Sequence, residues 1–289
     1  MVKHVQDVLL SVENLSVDYP GHPPKRAVDD ASFTVARGAC VGIVGGSGCG
    51  KTTIAKAIVG LERPSAGRIV FEGEPVASAG RAADLRRRRD IQLVFQDSLG
   101  ALNPRMRIGT ALAEVLRHHR RDEVSSAAAL DARLRELVGQ VELSPDVLAK
   151  YPHEISGGQR QRIGVARALA VRPKLLIADE PVSALDVAVQ AQMLKMLRRL
   201  LDATGLTMLF IAHDLAVVRC LCDAAVVMHA GRVVEQGDPR DVFSRPRSEA
   251  ARALVRAVPD VVRAMAERFA ETSECGGAGA KTGPRIFDR

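Results

Sequence analysis

The sequence predicts an α/β fold: a mixed, largely parallel sheet core with an antiparallel β part at the N-terminus and an inserted helical subdomain. Short apolar runs alternate with helical segments, which is the pattern of parallel sheets covered by helices on both faces. One of these runs, residues 40–44, ends in a glycine-rich turn that opens a helix. Residues 109–150 have helical periodicity and no strand-like run, which indicates the inserted helical part.

Each element follows from a local pattern. The first stretch, Val8–Tyr19, alternates apolar and polar residues, which is typical of strands with one buried face. The other predicted strands are short, mostly apolar runs at residues 32–35, 40–44, 68–72, 91–95, 174–178, Thr207–Ala212 and 225–228. Helical spacing of apolar residues predicts helices over residues 51–59, 159–170 and 187–201. The four arginines at residues 86–89 are interpreted as a solvated loop, because charge runs usually face water.

These elements are expected to form one main domain and a short extension. The main domain is predicted over residues 8–245, with the helical subdomain at about residues 97–158. Residues 246–289 form the predicted C-terminal extension. Its tail is rich in glycine and is expected to be flexible from about residue 270.

The composition limits the classes of function. Hydrophobic residues make up 47% of the 289 residues, which is enough for a sizeable core. Aromatic residues make up only 3%, with no Trp, and this argues against a stacking platform for single-stranded nucleic acid. The formal charge of +7 has two interpretations: ordinary surface arginine, or attraction to an acidic partner such as nucleic acid or an anionic membrane leaflet.

Cysteine usage and apolar runs bear on the compartment. The five cysteines are an odd number without zinc-like spacing, which favours a reduced chain in the cytosol. The N-terminus lacks a signal-peptide pattern, and no apolar stretch approaches the roughly 18 residues needed to span a bilayer. If the protein serves a membrane, it is expected to do so from the cytoplasmic side, through partners.

The glycine-rich turn is the first candidate site. The pattern G-x-x-x-x-G-K-[ST] is matched by Gly45-Gly46-Ser47-Gly48-Cys49-Gly50-Lys51-Thr52. The glycines allow backbone N–H groups to converge on phosphate oxygens, and the following helix adds its positive dipole end. Lys51 is expected to reach the β- and γ-phosphates, and the Thr52 hydroxyl to ligate Mg²⁺. The motif predicts a P-loop NTPase and leaves GTPase and kinase open.

Two carboxylates form the second candidate element. Asp179 and Glu180 follow the predicted strand at residues 174–178. Ligands of open α/β sheets bind at the carboxyl ends of the strands, so these side chains are expected at the same site as the phosphates. Asp179 is predicted to hold Mg²⁺, directly or through water. Glu180 is predicted to polarise the attacking water as general base.

A second helix start made of small residues lies about twenty residues before the acidic pair. It is formed by Ser156-Gly157-Gly158-Gln159, where Ser156 and the backbone N–H groups are suitable donors to an anion. A single ATP molecule does not need two such anion-binding helix starts from the same chain. The second is therefore expected to face the γ-phosphate held by another subunit. The alternative is an N-cap followed by an ordinary surface helix.

This segment resembles the signature motif of ATP-binding cassette proteins. Other elements of that family appear in the expected order across roughly residues 8–245. By this resemblance, Tyr19 matches the aromatic residue that stacks on adenine. Gln96 matches the glutamine that senses Mg²⁺ and contacts the membrane subunits. Ser183-Ala184-Leu185-Asp186 matches the loop that joins two protomers, and His213 matches the switch histidine at the γ-phosphate.

The resemblance implies ATP and Mg²⁺ as cofactors and gives a set of site residues. The residues expected to be catalytic are Lys51, Gln96, Glu180 and His213. The residues expected to bind Mg²⁺ are Thr52, Gln96 and Asp179. The nucleotide contacts are expected to be Tyr19, Gly45, Gly46, Ser47, Gly48, Cys49, Gly50, Lys51, Thr52, Thr53, Ser156, Gly157, Gly158 and Gln159.

A longer match resembles the peptide and nickel importer subfamily. It comprises Phe95-Gln96-Asp97-Ser98-Leu99-Gly100-Ala101-Leu102-Asn103-Pro104-Arg105 and the run over residues 151–192. Ser98 stands where peptide importers usually have Pro, and together with residues 47–50 it is similar to the nickel branch. Peptide import is the leading prediction and nickel import the alternative.

Two departures from the subfamily lie near the C-terminus. A frequent His-Pro-Tyr-Thr stretch is replaced by Arg247-Ser248-Glu249-Ala250. Some members carry a cysteine cluster that could bind iron–sulfur, but Cys275 is the only cysteine in this tail, so no cluster is expected.

The resemblance also implies partners. Two cassettes pair head to tail around two ATP molecules, closing on ATP binding and separating after hydrolysis. The second cassette is expected to be a related but different chain. Two transmembrane permease subunits and an extracytoplasmic substrate-binding protein complete the importer, on the cytoplasmic face of the bacterial plasma membrane. Nucleic acid is not an expected partner, although a soluble cassette acting on ribosomes or DNA, and an exporter, are the remaining alternatives.

Overall fold

The computed structural model describes residues 7–76, 81–96, 100, 102–183 and 185–257. The elements, in chain order, are β1 (Val8–Tyr19), β2 (Lys25–Ala36), β3 (Cys40–Gly45), α1 (Lys51–Ile58), β4 (Ala66–Phe71), β5 (Glu74–Pro75), α2 (Arg81–Asp90), β6 (Ile91–Val94), α3 (Ile108–His119), α4 (Ala127–Gln140), α5 (Gly157–Leu169), β7 (Leu175–Asp179), α6 (Val187–Thr204), β8 (Thr207–Ala212), α7 (Leu215–Leu221), β9 (Ala224–His229), β10 (Arg232–Gly237), α8 (Pro239–Ser244) and α9 (Glu249–Arg256). Within the described residues, short 3-10 helices also cover Arg121–Val124, Pro145–Ala149 and Pro152–Glu154.

The chain divides into two compact units. The first contains Met1–Gly80 and Thr207–Arg289, and the second contains Arg81–Leu206. The second unit is therefore a continuous insertion into the first. Ser98, Ala184, Cys275 and the predicted flexible tail lie outside the described residues.

The first unit contains an antiparallel sheet in the order β2-β1-β4-β5. Strand β1 pairs antiparallel with both β2 and β4. Burial along β1 does not follow a strict alternation: Leu9 and Leu10 are both buried, and so are residues 15–17, on either side of a register shift between Val12 and Leu15. The strand thus ends with Tyr19 at the edge of a well-packed hairpin, paired with Lys25.

A second group of strands in the first unit is mostly parallel. Strand β3 pairs in parallel with β8 on one side and with β9 on the other, and β10 pairs antiparallel with β9. Every residue of β3 and β8 is buried, as expected of strands covered on both faces. A Cβ atom at Gly42 would lie 2.4 Å from Cγ1 of Val218, so glycine at this position allows α7 to pack closely on β3.

The second unit combines the parallel pair β6–β7 with a helical part. Helices α3, α4 and α5 enclose a cluster of buried side chains, which comprises Leu102, Ile108, Leu112, Val138, Val147, Ile155 and Ile163. The apolar spacing along residues 109–150 supplies part of this core, namely Leu112, Val138 and Val147, and the rest comes from residues on either side of that segment. None of the helices in the described part of the chain is sufficiently long and apolar to span a membrane.

The structure corrects two local predictions. The arginines at residues 86–89 do not form a loop but lie on α2, whose last turn is basic. Arginine is a good helix former, and positive charge is favourable near a helix C-terminus. Strand β2 begins at Lys25, well before the predicted start at residue 32, because its polar first half pairs with β1 next to the turn of the hairpin, where Tyr19 pairs with Lys25.

Candidate nucleotide-binding and hydrolysis site

The glycine-rich turn connects β3 to α1 in the first unit. A Cβ atom at Gly46 or Gly48 would meet no atom within 4 Å, so open space adjoins this part of the turn. Gly50 is different: its φ is 105°, and a Cβ atom there would lie 2.4 Å from the carbonyl oxygen of Ala27. The turn therefore needs glycine at residue 50 to close, whereas Gly46 and Gly48 leave room for a ligand.

Lys51 holds a positive charge inside this turn. Its Nζ donates hydrogen bonds to the carbonyl oxygens of Gly45 at 2.8 Å and Gly46 at 3.0 Å. The residue is only 4% exposed, and these two carbonyls are neutral, so they do not cancel the positive charge that an anion would meet. Burial raises the pKa of the neighbouring Cys49 thiol, an effect that the positive charge of Lys51 opposes only in part. The thiol therefore stays neutral and does not repel phosphate.

Tyr19 lies next to the start of α1. Its hydroxyl is 3.3 Å from Oγ1 of Thr53 and donates to Oε1 of Glu62, also at 3.3 Å. Two predicted nucleotide contacts, Tyr19 and Thr53, are thus brought together. Glu62 was missed in the sequence analysis, because no local pattern connects it to a tyrosine 43 residues away.

Thr52 and His213 complete the predicted residues of the first unit. Thr52 is exposed in the first turn of α1. His213 is exposed directly after β8 and precedes Asp214, the N-cap of α7. Thr52 thus follows the turn at the carboxyl end of β3, and His213 follows the carboxyl end of β8. Ligands of parallel sheets bind at these strand ends.

The acidic pair lies at the end of β7 in the second unit. Asp179 is the last residue of the strand and is 4% exposed. Glu180 follows with a φ of 48°, a left-handed conformation that glutamate rarely adopts. Such backbone strain persists only where the surroundings impose it, and it concentrates at functional sites.

Ser183 connects Glu180 to Gln96. Its hydroxyl donates to the carbonyl oxygen of Glu180 at 3.1 Å and accepts a hydrogen bond from Nε2 of Gln96, also at 3.1 Å. Two predicted catalytic residues are therefore held by the same serine. Because the amide nitrogen of Gln96 donates to Ser183, the amide oxygen is the atom of this side chain that could bind a cation.

The signature segment forms the start of α5. Ser156 and Gln159 make a reciprocal capping box: the N–H of Gln159 donates to Oγ of Ser156 at 3.3 Å, and the N–H of Ser156 donates to Oε1 of Gln159 at 3.0 Å. Gly157 is exposed. A Cβ atom at Gly158 would lie 2.6 Å from Cγ1 of Val189, so glycine there allows α5 to pack against α6.

The predicted site residues are therefore divided between the two units. Tyr19, His213 and the residues of the turn, 45–53, belong to the first unit. Gln96, the signature residues 156–159, Asp179 and Glu180 belong to the second. Within each unit, the hydrogen bonds described above hold several of them together.

Comparison with known proteins decides the family. The family model described as "ABC transporter" matches residues 28–183. This chain belongs to the ABC transporter family. It is accordingly an ATP-binding ATPase, which confirms the family resemblance found in the sequence, and the α/β P-loop fold class is confirmed as well.

Curated relatives and solved structures agree with this assignment. An ATP-binding protein of Brucella ovis, assigned to peptide import by its name, is 46% identical over 87% of this chain and 78% of its own length. An oligopeptide transport ATP-binding protein of Haemophilus influenzae, OppF, is 41% identical over 89% of this chain and 80% of its own length.

Among solved structures, CbiO1 of Clostridium perfringens, part of the ABC transporter complex CbiONQ, is 28% identical with a TM-score of 0.73, covering 90% of this chain and 99% of its own. The dimeric ATP-binding cassette MJ0796 with bound ADP and Pi is 26% identical with a TM-score of 0.71, covering 80% of this chain and 99% of its own.

Proposed function

We propose that this chain is the ATP-hydrolysing subunit that energises an importer of di- and oligopeptides. The observation that carries the proposal is the 41–46% identity, over most of the chain, to ATP-binding proteins named for peptide or oligopeptide transport. These names favour peptides over nickel as cargo. The cassette is taken to span residues 8–245, with the helical subdomain at about residues 97–158 and an extension from residue 246.

In this proposal the glycine-rich turn holds the triphosphate of ATP. Exposed backbone at residues 46–48 and the open space beside Gly46 and Gly48 suit phosphate oxygens, and Lys51 supplies a buried positive charge. The ring of Tyr19 stacks on adenine. Signature residues 156–159 contact the γ-phosphate bound to a second cassette, which supports the head-to-tail pair.

Hydrolysis requires a base and a charge-neutralising group. The oxygen donors Thr52, Asp179 and Gln96 suit Mg²⁺, which prefers hydroxyl and carboxylate oxygens. When bound, Mg²⁺ neutralises charge on the β- and γ-phosphates. Glu180 takes a proton from the attacking water, and Ser183 holds the backbone of Glu180 and the amide of Gln96 in place. His213 is assigned to the γ-phosphate.

The proposed partners are a second, related cassette, two permease subunits and an extracytoplasmic binding protein, with this chain on the cytoplasmic face of the bacterial plasma membrane. The relatives named for peptide and oligopeptide transport support these partners.

The experiment is to affinity-purify the full chain from membranes, identify the co-purifying subunits, and reconstitute them in liposomes with the binding protein. We expect ATP hydrolysis to rise several-fold when the binding protein carries a tri- to pentapeptide mixture. NiCl₂ should have no effect. Stimulation by Ni²⁺ alone would replace peptides with nickel as cargo. Absence of membrane subunits from the purified material would refute the importer role, and a Lys51→Ala variant in the same complex controls for contaminating ATPases.

A further inference from the structure

Glu62 contacts a predicted nucleotide-binding residue although it belongs to none of the motifs. We propose that Glu62 is a positioning residue for the nucleotide base: it fixes the ring of Tyr19 through the phenol hydroxyl. The inference rests on the proposed function, in which that ring stacks on adenine. Glu62 is itself only partly exposed and follows α1, so it acts on ATP through Tyr19 and not by contact.

The hydrogen bonds around the phenol have a defined direction. A carboxylate can only accept, so Tyr19 must donate its hydroxyl hydrogen to Oε1 of Glu62 at 3.3 Å. The phenol oxygen is then left as an acceptor for the Thr53 hydroxyl, also at 3.3 Å. Thr53 is 8% exposed, so this hydroxyl benefits from a protein partner. The result is a directed chain from Thr53 to Tyr19 to Glu62.

These two hydrogen bonds connect the aromatic ring of Tyr19 to both ends of helix α1. Thr53 lies in the first turn of α1, two residues after Lys51. Glu62 lies just past the last turn, where its backbone N–H donates to the carbonyl oxygen of Lys56 at 3.3 Å. The distance between the ring and the turn that holds phosphates is therefore set before ATP arrives. Such pre-organisation lowers the conformational entropy that the site loses when ATP binds.

The backbone next to the ring is held independently of Glu62. Asp18 accepts from Arg26 at 2.9 Å, and Arg26 also reaches Asp29 at 3.2 Å. These ion pairs and the pairing of Tyr19 with Lys25 fix the strand end. What they leave undetermined is the rotation of the Tyr19 side chain, and that is the freedom that Glu62 removes.

The test separates recognition of the base from recognition of the phosphates. Glu62→Ala should raise the Kd and the KM for MgATP by about three- to tenfold, the factor that corresponds to one net hydrogen bond. Affinity for tripolyphosphate, which lacks the base, should not change, and kcat should stay within about twofold of wild type because chemistry is untouched. Glu62→Gln retains an acceptor oxygen and should recover most of the lost affinity.

Two controls keep the outcome specific. Glu74→Ala removes an exposed glutamate on β5 of the same unit and should leave both affinities unchanged. Tyr19→Phe keeps a stacking ring but loses the hydroxyl, so the double variant Tyr19→Phe/Glu62→Ala should bind ATP no more weakly than Tyr19→Phe alone.

Three results would overturn the proposal. The first is an ATP affinity of Glu62→Ala that equals wild type. The second is a loss of tripolyphosphate affinity in Glu62→Ala as large as its loss of ATP affinity. The third is a loss of ATP affinity in the double variant that equals the sum of the losses in the two single variants. The proposed function fails separately, if the wild-type chain binds neither ATP nor tripolyphosphate.

Discussion

At the scale of single residues, the glycines of the glycine-rich turn are not equivalent. Gly50 adopts a φ of 105° and approaches the carbonyl of Ala27, whereas open space surrounds Gly46. An alanine at residue 50 would bring both backbone strain and a steric clash. An alanine at residue 46 would bring neither, although it could still obstruct a phosphate.

We predict that Gly50→Ala lowers the free energy of unfolding by about 2 kcal/mol, whereas Gly46→Ala changes it by less than about 0.5 kcal/mol. The chain has no Trp, so urea denaturation should be followed by far-UV circular dichroism. Equal stability of the two variants would contradict the strain assigned to residue 50. Gly46→Ala should weaken ATP binding despite its normal stability, since its Cβ atom enters the space proposed for phosphate.

The contrast between the motifs and Glu62 shows which site residues a sequence can reveal. Residues 45–52 and 156–159 were predicted because a tight turn and a helix start are local structures with local residue requirements. Glu62 was not predictable, because its contact with Tyr19 depends on how β1 packs beside α1. The hydrogen bonds that Ser183 makes to Glu180 and Gln96 likewise arise only when the chain is folded.

At the scale of elements, the start of α5 combines two possible roles. Ser156 caps the helix with its hydroxyl, which by itself explains a serine at this position. The proposed contact with a γ-phosphate is an additional role. Helix α4 offers a matched control, because Ser126 caps it in the same way by accepting from the N–H of Ala129.

We predict that Ser156→Ala and Ser126→Ala each lower the free energy of unfolding by about 1 kcal/mol, the usual cost of losing an N-cap. Only Ser156→Ala should lower ATP turnover in the assembled transporter, by about tenfold or more. Steady-state ATPase assays at matched fractions of folded protein distinguish the two roles. If the two variants turn over ATP equally fast, Ser156 is a helix cap and nothing more.

One carboxylate holds the backbone at the start of α9. Glu235 of β10 accepts hydrogen bonds from the backbone N–H of Arg247 at 3.0 Å and from that of Ser248 at 2.8 Å. Burial alone would raise the pKa of Glu235, but the hydrogen bonds from Ser248 and Arg247 outweigh it and the pKa is lowered from 4.5. Because the folded-state pKa lies below the unfolded one, the ionised form stabilises the docked helix. This stabilisation is present above pH 4.5 and is lost as the pH falls below it.

We predict that hydrogen exchange of the amides at residues 247–257 accelerates as the pH is lowered through 4.5, after correction for the intrinsic rate. Glu235→Gln should speed this exchange about three- to tenfold at pH 7 and remove the extra acceleration at low pH. Glu74→Gln serves as the control. Exchange in Glu235→Gln that matches wild type at pH 7 would show that the helix docks without this carboxylate.

Elements were predicted where burial imposes an apolar pattern on the sequence and missed where it does not. The uniformly apolar β3, β7 and β8 were found, because burial on both faces requires unbroken apolar runs. The first half of β2 and the arginine-rich α2 were missed, since their polar residues carry no periodicity. Helices α7 and α8, with 7 and 6 residues, are too short for a periodic pattern.

At the scale of the whole molecule, the proposed mechanism makes occupancy by ATP and pairing of cassettes interdependent. A chain that binds ATP but cannot hydrolyse it should accumulate in the paired state. The related cassette MJ0796 is itself dimeric, in a post-hydrolysis state with bound ADP and Pi.

We predict that Glu180→Gln lowers ATP turnover by at least about 100-fold, because the general base is lost. ATP binding should be retained. With ATP and Mg²⁺, light scattering should show this variant paired: at twice its monomer mass when it is alone, and at the summed mass of the two chains when the related cassette of the same complex is present. Without nucleotide it should be monomeric. Normal turnover in Glu180→Gln would remove Glu180 from the role of base.

The insertion of the second unit into the first has a consequence for biosynthesis. Strand β3 carries the phosphate-binding turn, and its neighbours β8 and β9 follow only after the whole of Arg81–Leu206 has been translated. A nascent chain on the ribosome can therefore complete the inserted unit before the strand that precedes it has any parallel neighbour. Chains released early, before Ala224–His229 emerges, should be recognised by chaperones and proteases as incomplete, and competence to bind nucleotide should appear late in synthesis.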